Sequence, residues 1–430
     1  MNDKNNSELK VIGISGTRGK TIVAHILYDL LYSSGIRVSL LSTNGIVING
    51  VSQNDAANSY NINKKTLKNF FRDSNKEECQ YAIVEISSQK IKDGTFNGVE
   101  LSHAILTNIH EDSLEIHGTL NEYIHTKIEF VKLIKDGGAL IVDSSDKNSK
   151  SIIRENKDKI ENNIYVINAN RSIIAREEHF IDGTRFYIDE LGEVITRLSG
   201  DFNIGNIILA VMLARFLTNP KTLIPSLRKA EPILGRLHLY RKTPANIFVD
   251  YAKKPGTLKA SLEHLTKVKS PKSRIISVFG ASGDKDKLGR ESGNVLKDLS
   301  DYVILTSQDP NFEDVSKINS EIHTSSGDYG SVLIERIGSE QEYELIKYDN
   351  LANKIERVYL TGDVPFIAFD ENAYTSRLNA IDLALKISRP GDIIYITGKG
   401  HEKSSIYNNI EYEWSDYEAI NLLLSQYGYQ

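Results

Sequence analysis

Short β-branched runs alternate along the chain with stretches whose apolar positions recur every three or four residues. That rhythm is the signature of βα units around a mostly parallel sheet. Lys10–Ser15 reads as a buried strand. A glycine-rich turn follows, and Lys20 to Ser34 then carries Ile22, Val23, Ile26, Leu27, Leu30 and Leu31 on one side, which predicts a helix that Gly35 is placed to cap. The same pattern predicts strands at Val38–Thr43, Tyr81–Ile86, His103–Thr107 and Ala139–Val142, and a helix over Asn121–Leu133. Between Arg171 and Leu198 the period moves towards two, with turns at Asp182-Gly183 and Leu191-Gly192, so a small antiparallel addition is expected there. Phe202 to Leu217 returns to helix. The pattern pauses at Pro232 and Gly235, and a second α/β series follows with strands at Ile247–Tyr251, Arg274–Phe279, Tyr302–Thr306 and Ile393–Thr397. Ser325–Asn350 has no readable period. Two domains are expected, 1–232 and 233–430.

The length of 430 residues agrees with that division, since single cores seldom grow past roughly 250–300 residues. A balance of 52 Lys+Arg against 57 Asp+Glu leaves a charge of −5, which argues against nucleic acid as a partner. The single cysteine, Cys79, rules out an internal disulfide framework and suits a reducing compartment. Met1–Lys10 is polar and lacks the apolar core of a signal peptide. No apolar run approaches the roughly 18–20 residues of a membrane span, so a soluble, cytoplasmic protein is expected.

The chemistry begins at Gly16-Thr17-Arg18-Gly19-Lys20-Thr21, between a predicted strand and a predicted helix. Glycines there let backbone N–H groups approach a phosphate, and the helix N-terminus adds a positive field. In this reading Lys20 holds the β- and γ-phosphates and Thr21 ligates Mg²⁺. The common pattern, G-x-x-x-x-G-K-S/T, has glycine where this chain has Ile14. An ordinary glycine turn ahead of a helix is the plainer alternative; strand, G-K-T and helix in register favour phosphate. The loop alone does not separate a kinase, a GTPase and a ligase.

The form G-T-x-G-K-T resembles the Mur ligase superfamily, and later segments follow that family in order over nearly the whole chain. Glu85-Ile86-Ser87-Ser88 resembles its E-V-S-S; Thr107-Asn108, Asp112 and His117-Gly118-Thr119 resemble T-N-L-x-x-D-H-L-D-Y-H-G. Lys127 stands where the family carries a carbamylated lysine. Gly200-Asp201-Phe202-Asn203 with Asn206 looks like G-x-x-N-x-x-N, and Gly235-Arg236 and Asp250-Tyr251-Ala252 look like G-R-M-E and D-Y-A-H. Phe279 to Asp286 and Gly398-Lys399-Gly400-His401-Glu402 are closest to the MurE branch. The resemblance implies a P-loop central domain with a mostly parallel sheet, followed by a Rossmann-like α/β domain. It also implies an ATP-dependent ligase that activates a carboxylate as an acyl phosphate and joins it to an amino acid or other amine. Lys20, Glu85 and Lys127 would be catalytic, with Thr21, Glu85 and a carbamate on Lys127 holding two Mg²⁺ ions. Gly16, Thr17, Arg18, Gly19, Asn206, Arg236 and Asp250 would contact ATP, and Asp309, Asn311, Gly398 and Glu402 the substrate. Closure of the two domains would exclude water from the acyl phosphate. Without the family, Glu85 reads as a surface or capping acid, Lys127 as a solvated helix lysine, and His401, Asp284 and Lys285 as loop residues.

Departures shape the substrate expectation. Ser113 and Glu115 replace the histidine and second aspartate of D-H-L-D, so the second Mg²⁺ is held differently, with His110 or His117 as candidate helpers. Lys253 replaces the histidine of D-Y-A-H. The family's domain ahead of the phosphate loop has no counterpart in Met1–Val11, and Asn61-Ile62-Asn63 stands where T-T-P contacts the muramyl substrate. The acceptor is therefore expected to differ from a standard UDP-muramyl peptide, or a partner chain to supply the absent part. Gln308-Asp309-Pro310-Asn311 lacks the arginine of D-N-P-R, which disfavours diaminopimelate and leaves a basic or small amino acid. A repeated amino-acid ligase of the folylpolyglutamate or cyanophycin type, and a non-catalytic ATP-binding protein on the same scaffold, are the alternatives.

Overall fold

The computed structural model describes residues 8–53, 62–110, 117–143, 146–158, 164–169, 171–283, 287–327, 329–346 and 348–429. Chain contacts cluster into two units, one formed by Met1–Glu178, Thr184–Arg197 and Asp201–Glu231, the other by His179–Gly183, Leu198–Gly200 and Pro232–Gln430.

The first unit is built in chain order from β1 (Lys10–Ser15), α1 (Lys20–Ser33), β2 (Val38–Ser42), β3 (Gly45–Ile48), β4 (Val51–Gln53), α2 (Lys64–Lys76), β5 (Tyr81–Glu85), α3 (Ser88–Lys92), β6 (Leu101–Leu106), α4 (Leu120–Lys132), β7 (Ile134–Asp143), α5 (Lys147–Glu155) and β8 (Ile164–Ala169). Three short strands follow, β9 (Ile174–Phe180), β10 (Gly183–Ile188) and β11 (Gly192–Thr196), of which the β9–β10 turn, His179–Gly183, belongs to the second unit; helices α6 (Asp201–Leu217) and α7 (Leu223–Lys229) complete the first. The main sheet has the order β4-β3-β2-β5-β1-β6-β7-β8. Its strands from β2 to β8 are parallel, which explains their continuous apolar runs, since helices cover both faces. The antiparallel pair β3 and β4 extends one edge and escaped the sequence reading, because β4 is short and exposed. The small β9–β11 sheet is the antiparallel addition expected from the period of two.

Helix α1 buries Ile22, Val23, Ile26, Leu27, Leu30 and Leu31, the stripe visible in the sequence. It ends where Gly35 adopts φ +82°, with Gly35 N donating to Tyr32 O and Ile36 N to Leu31 O. That paired closure needs a left-handed residue, which glycine takes without a Cβ penalty.

The second unit contains β12 (His238–Arg241), β13 (Asn246–Asp250), α8 (Pro255–Val268), β14 (Ile275–Phe279), α9 (Gly293–Leu299), β15 (Tyr302–Leu305), α10 (Val315–Thr324), β16 (Ser331–Ile337), α11 (Glu340–Leu345), α12 (Tyr348–Leu360), β17 (Val364–Phe369), α13 (Thr375–Ile387), β18 (Ile393–Thr397), β19 (Ser404–Tyr407), β20 (Ile410–Glu413) and α14 (Asp416–Gln426). Its large sheet runs β12-β13-β18-β14-β15-β17-β16, with β12 antiparallel and the rest parallel. The stretch without a readable period holds β16, a register-shifted edge strand of mixed polarity, and β17 hides behind Pro365, which cannot donate to the ladder. No helix among the described residues is long and apolar enough to cross a membrane.

Candidate functional site

In the first unit, strand register decides what meets the glycine loop. β1 lies between β5 and β6, with Ile14 opposite both Glu85 and Ile105, so the ends of all three strands deliver side chains to one crest. Ligands of open parallel sheets bind at such carboxyl-end crests. Thr107 and Asn108, just past β6, hold the loop: Asn108 O accepts from Thr17 N (2.8 Å), Asn108 Oδ1 accepts from Arg18 N (3.0 Å), and Thr107 Oγ1 donates to Arg18 O (2.6 Å). Gly19, at φ +81°, opens helix α1, and a Cβ there would fall 2.2 Å from Asn206 Oδ1. Glycine is thus required both by conformation and by the approach of α6, whose Asn206 donates to Asn203 Oδ1.

Thr21 Oγ1 donates to Glu85 Oε1 and Oε2 at 3.1 and 3.0 Å, and Thr43 N donates to the same carboxylate at 3.0 Å. Lys20 Nζ donates to Gly16 O (3.2 Å) and Thr17 O (3.0 Å). On α4, Lys127 is 0% exposed; its Nζ donates to Ser15 Oγ (2.9 Å) and to the same Gly16 O (3.3 Å). No carboxylate among the described residues pairs with it. Burial, and then the neighbouring Lys20, push the Lys127 ammonium well below the usual lysine range. One turn earlier, Tyr123 brings its hydroxyl 2.9 Å from Thr17 Oγ1 and its ring 5.1 Å from Lys127 Nζ. A cavity of about 650 Å³ opens beside the loop, lined among others by Asn108, His110, Asp146, Arg171, Phe202 and Asn206.

Gly16, Thr17, Arg18, Gly19, Lys20, Thr21, Glu85, Lys127 and Asn206 therefore gather around one loop. Tyr123, Ser15 and Thr43 belong to the same gathering and were missed. Tyr123 had a signal, four residues ahead of Lys127 and so on the same helix face; Ser15 and Thr43 read only as strand ends. His117 is buried with its ring 5.1 Å from that of Tyr123. Asp112, Ser113, Glu115, Asn61, Asp284 and Lys285 lie outside the described residues.

In the second unit, Asp250 ends β13 and is 6% exposed. Its carboxylate accepts from Leu237 N, Tyr251 N, Ser261 Oγ and Tyr395 Oη at 2.7–3.1 Å, so it ties β13 to its surroundings. Arg236 places its guanidinium 4.7 Å from the centre of the Tyr251 ring. Loops after β13, β15 and β18 meet at this unit's own crest. There Lys399 Nζ binds both oxygens of Asp309 at 2.9 Å, and Gln308 Nε2 donates to Gly398 O (3.2 Å). Asn311 accepts from Asn409 N at 2.7 Å. Asp309, Asn311, Gly398 and Glu402 thus come together.

The first unit is by its fold and loop a P-loop nucleotide-binding α/β assembly. Family models carry this further: residues 14–214 match the Mur ligase middle domain and residues 235–363 match the Mur ligase, glutamate ligase domain. UDP-N-acetylmuramyl-tripeptide synthetase of Borreliella afzelii is 26% identical over 98% of this chain and 78% of its own length. UDP-N-acetylmuramoyl-L-alanyl-D-glutamate–2,6-diaminopimelate ligase of Agrobacterium fabrum is 28% identical over 97% of this chain and 78% of its own length. A solved folylpolyglutamate synthase of Mycobacterium tuberculosis, complexed with ADP and AMPPCP, shares the fold at a TM-score of 0.62 and 18% identity, over 91% of this chain and 89% of that one. The chain belongs to the Mur ligase family, whose members use ATP and Mg²⁺. It is an ATP-dependent ligase that forms a C–N bond.

Proposed function

We propose that the first unit activates a small-molecule carboxylate as an acyl phosphate, which an amino acid or related amine bound by the second unit then attacks. The observation that carries this is the convergence of Lys20, Thr21, Glu85 and Lys127 on one loop, two of them on the same Gly16 carbonyl. Lys20 swings from Gly16 O and Thr17 O to the β- and γ-phosphates, and the cavity past Asn108 and Asn206 takes the nucleoside. The carboxylate oxygen attacks the γ-phosphorus and ADP departs; the amine then attacks the carbonyl carbon and phosphate leaves, carrying that oxygen.

The donor set fits Mg²⁺, which takes hard oxygen ligands. Thr21 and Glu85 would supply two, and a carbamate on Lys127 would supply a third. Burial and then Lys20 push this amine downward, towards the uncharged form that adds to CO₂ with release of one proton to leave an anion. When bound, Mg²⁺ would offset the charge gathering as two anions are brought together. Asn61-Ile62-Asn63 in place of the family's muramyl-contacting segment supports an acceptor other than a UDP-muramyl peptide; Asn63 itself caps α2 by accepting from Thr66 N (3.0 Å).

ADP release across a panel of carboxylates and amino acids finds the productive pair. With that pair, an ¹⁸O-labelled carboxylate should deliver one label into the released phosphate, and Lys20→Met should abolish turnover. Phosphate free of label sinks the acyl-phosphate route.

A further inference from the structure

The crest of the second unit carries a chain of alternating charges. Lys253 Nζ lies 2.8 Å from Glu402 Oε1, Lys399 Nζ lies 2.7 Å from Glu402 Oε2, and Lys399 continues to Asp309. The Glu402 and Lys399 side chains are buried, at 8% and 2% exposure, while Lys253 at 15% ends the chain on the solvent side. The Lys253 ammonium also sits 4.4 Å from the centre of the Tyr251 ring, which Arg236 approaches as well. Each oxygen of Glu402 therefore already faces a lysine. Burial by itself would raise this carboxyl, but Lys253 and Lys399 outweigh it and hold it well below the usual carboxylate range.

Among the described residues of this chain of charges two lysines face two carboxylates, so a further cation meets a Glu402 carboxylate already paired on both oxygens and the like charge of Lys253 beside it. Juxtaposing like charges is an effective way of rejecting a ligand. Asn311, two residues beyond Asp309, offers an amide whose oxygen is engaged by Asn409 N, so no guanidinium is added there.

We infer that Lys253 is a specificity-determining residue: its ammonium occupies Glu402 from within the protein and restricts the amine substrate to α-amino acids whose side chains carry no positive charge. This rests on the reading that the second unit's crest takes the amine. It narrows the choice between a basic and a small amino acid in favour of the small, and it admits an acidic one.

The test is calorimetric titration of L-lysine, L-alanine and L-glutamate into the full chain with Mg²⁺ and a non-hydrolysable ATP analogue. In the unaltered chain L-alanine or L-glutamate should bind at least tenfold more tightly than L-lysine. Lys253→Met should raise L-lysine affinity at least tenfold and leave L-alanine within about threefold, since Lys399 still partners Glu402 and the fold keeps its buried pair. Lys253→Gln serves if the methionine variant is unstable. L-lysine binding as tightly as L-alanine to the unaltered chain, or unmoved by either variant, overturns the inference. If nucleotide binds but no amino acid does in any of the chains, the placing of the amine fails first and takes the inference with it.

Discussion

Lys127→Met should stabilise the protein while removing a group the reaction needs. The side chain is fully buried, and methionine matches its length without the amine. Two hydrogen bonds are lost, to Ser15 Oγ at 2.9 Å and Gly16 O at 3.3 Å, worth together about 1–3 kcal/mol. Against this, burial and the nearby Lys20 depress the amine well below its free value. Each unit of depression is about 1.36 kcal/mol that folding forgoes below the folded pKa. The cost of burying this amine beside Lys20 outweighs what the two bonds return, so methionine should raise the urea midpoint and the Tm. The sign gives a second handle. Because the folded pKa is lowered, the unfolded chain binds the extra proton between that value and about 10.4. Stability of the unaltered protein should rise with pH over this window in CO₂-free buffer, and Lys127→Met should lack that slope. Urea unfolding from pH 7 to 10 reads both. With ¹³C-labelled bicarbonate, the unaltered chain should show a carbamate carbonyl resonance that the variant lacks. A variant less stable by 1 kcal/mol or more with an unchanged pH slope would mean the amine is charged and satisfied in the fold, refuting the reasoning.

Other perturbations separate loop geometry from core electrostatics. Gly19→Ala forces a Cβ onto φ +81° and to 2.2 Å from Asn206 Oδ1, so Mg·ADP affinity measured by calorimetry should fall at least tenfold; an unchanged affinity would show the loop tolerates displacement. Arg377 is buried and donates to both oxygens of buried Asp416 at 2.7 and 2.8 Å. Arg377→Met should cost about 3–5 kcal/mol in urea unfolding, and Arg377→Met with Asp416→Leu should recover much of it. His103 is pushed down to about 4 by burial and then by Lys10 and Lys135. Its folded pKa is depressed, so the stability it contributes is present above about 6.5 and lost as pH falls towards 4; His103→Gln should flatten that part of the unfolding profile.

Lys10–Ser15, the α1 stripe and the strands at Tyr81, Tyr302 and Ile393 could be read directly because a buried parallel strand and a one-sided helix impose local periods. The G-T-x-G-K-T loop was legible for the same reason, since its function depends on its own backbone. β16 and β17 were not, because an edge strand with a register shift and a strand containing Pro365 carry no clean period.

The sequence by itself determined the βα alternation of the buried strands and amphipathic helices, the phosphate loop and the run of family motifs that mark an ATP-dependent ligase. Tertiary structure decided which distant side chains share an atom or a charge. It set Lys127 beside Lys20 on Gly16 O, Thr21 against Glu85, and Lys253 and Lys399 on opposite oxygens of Glu402. Those pairings follow from strand order and register, which bring the ends of non-consecutive strands together, and no local pattern in the chain encodes them.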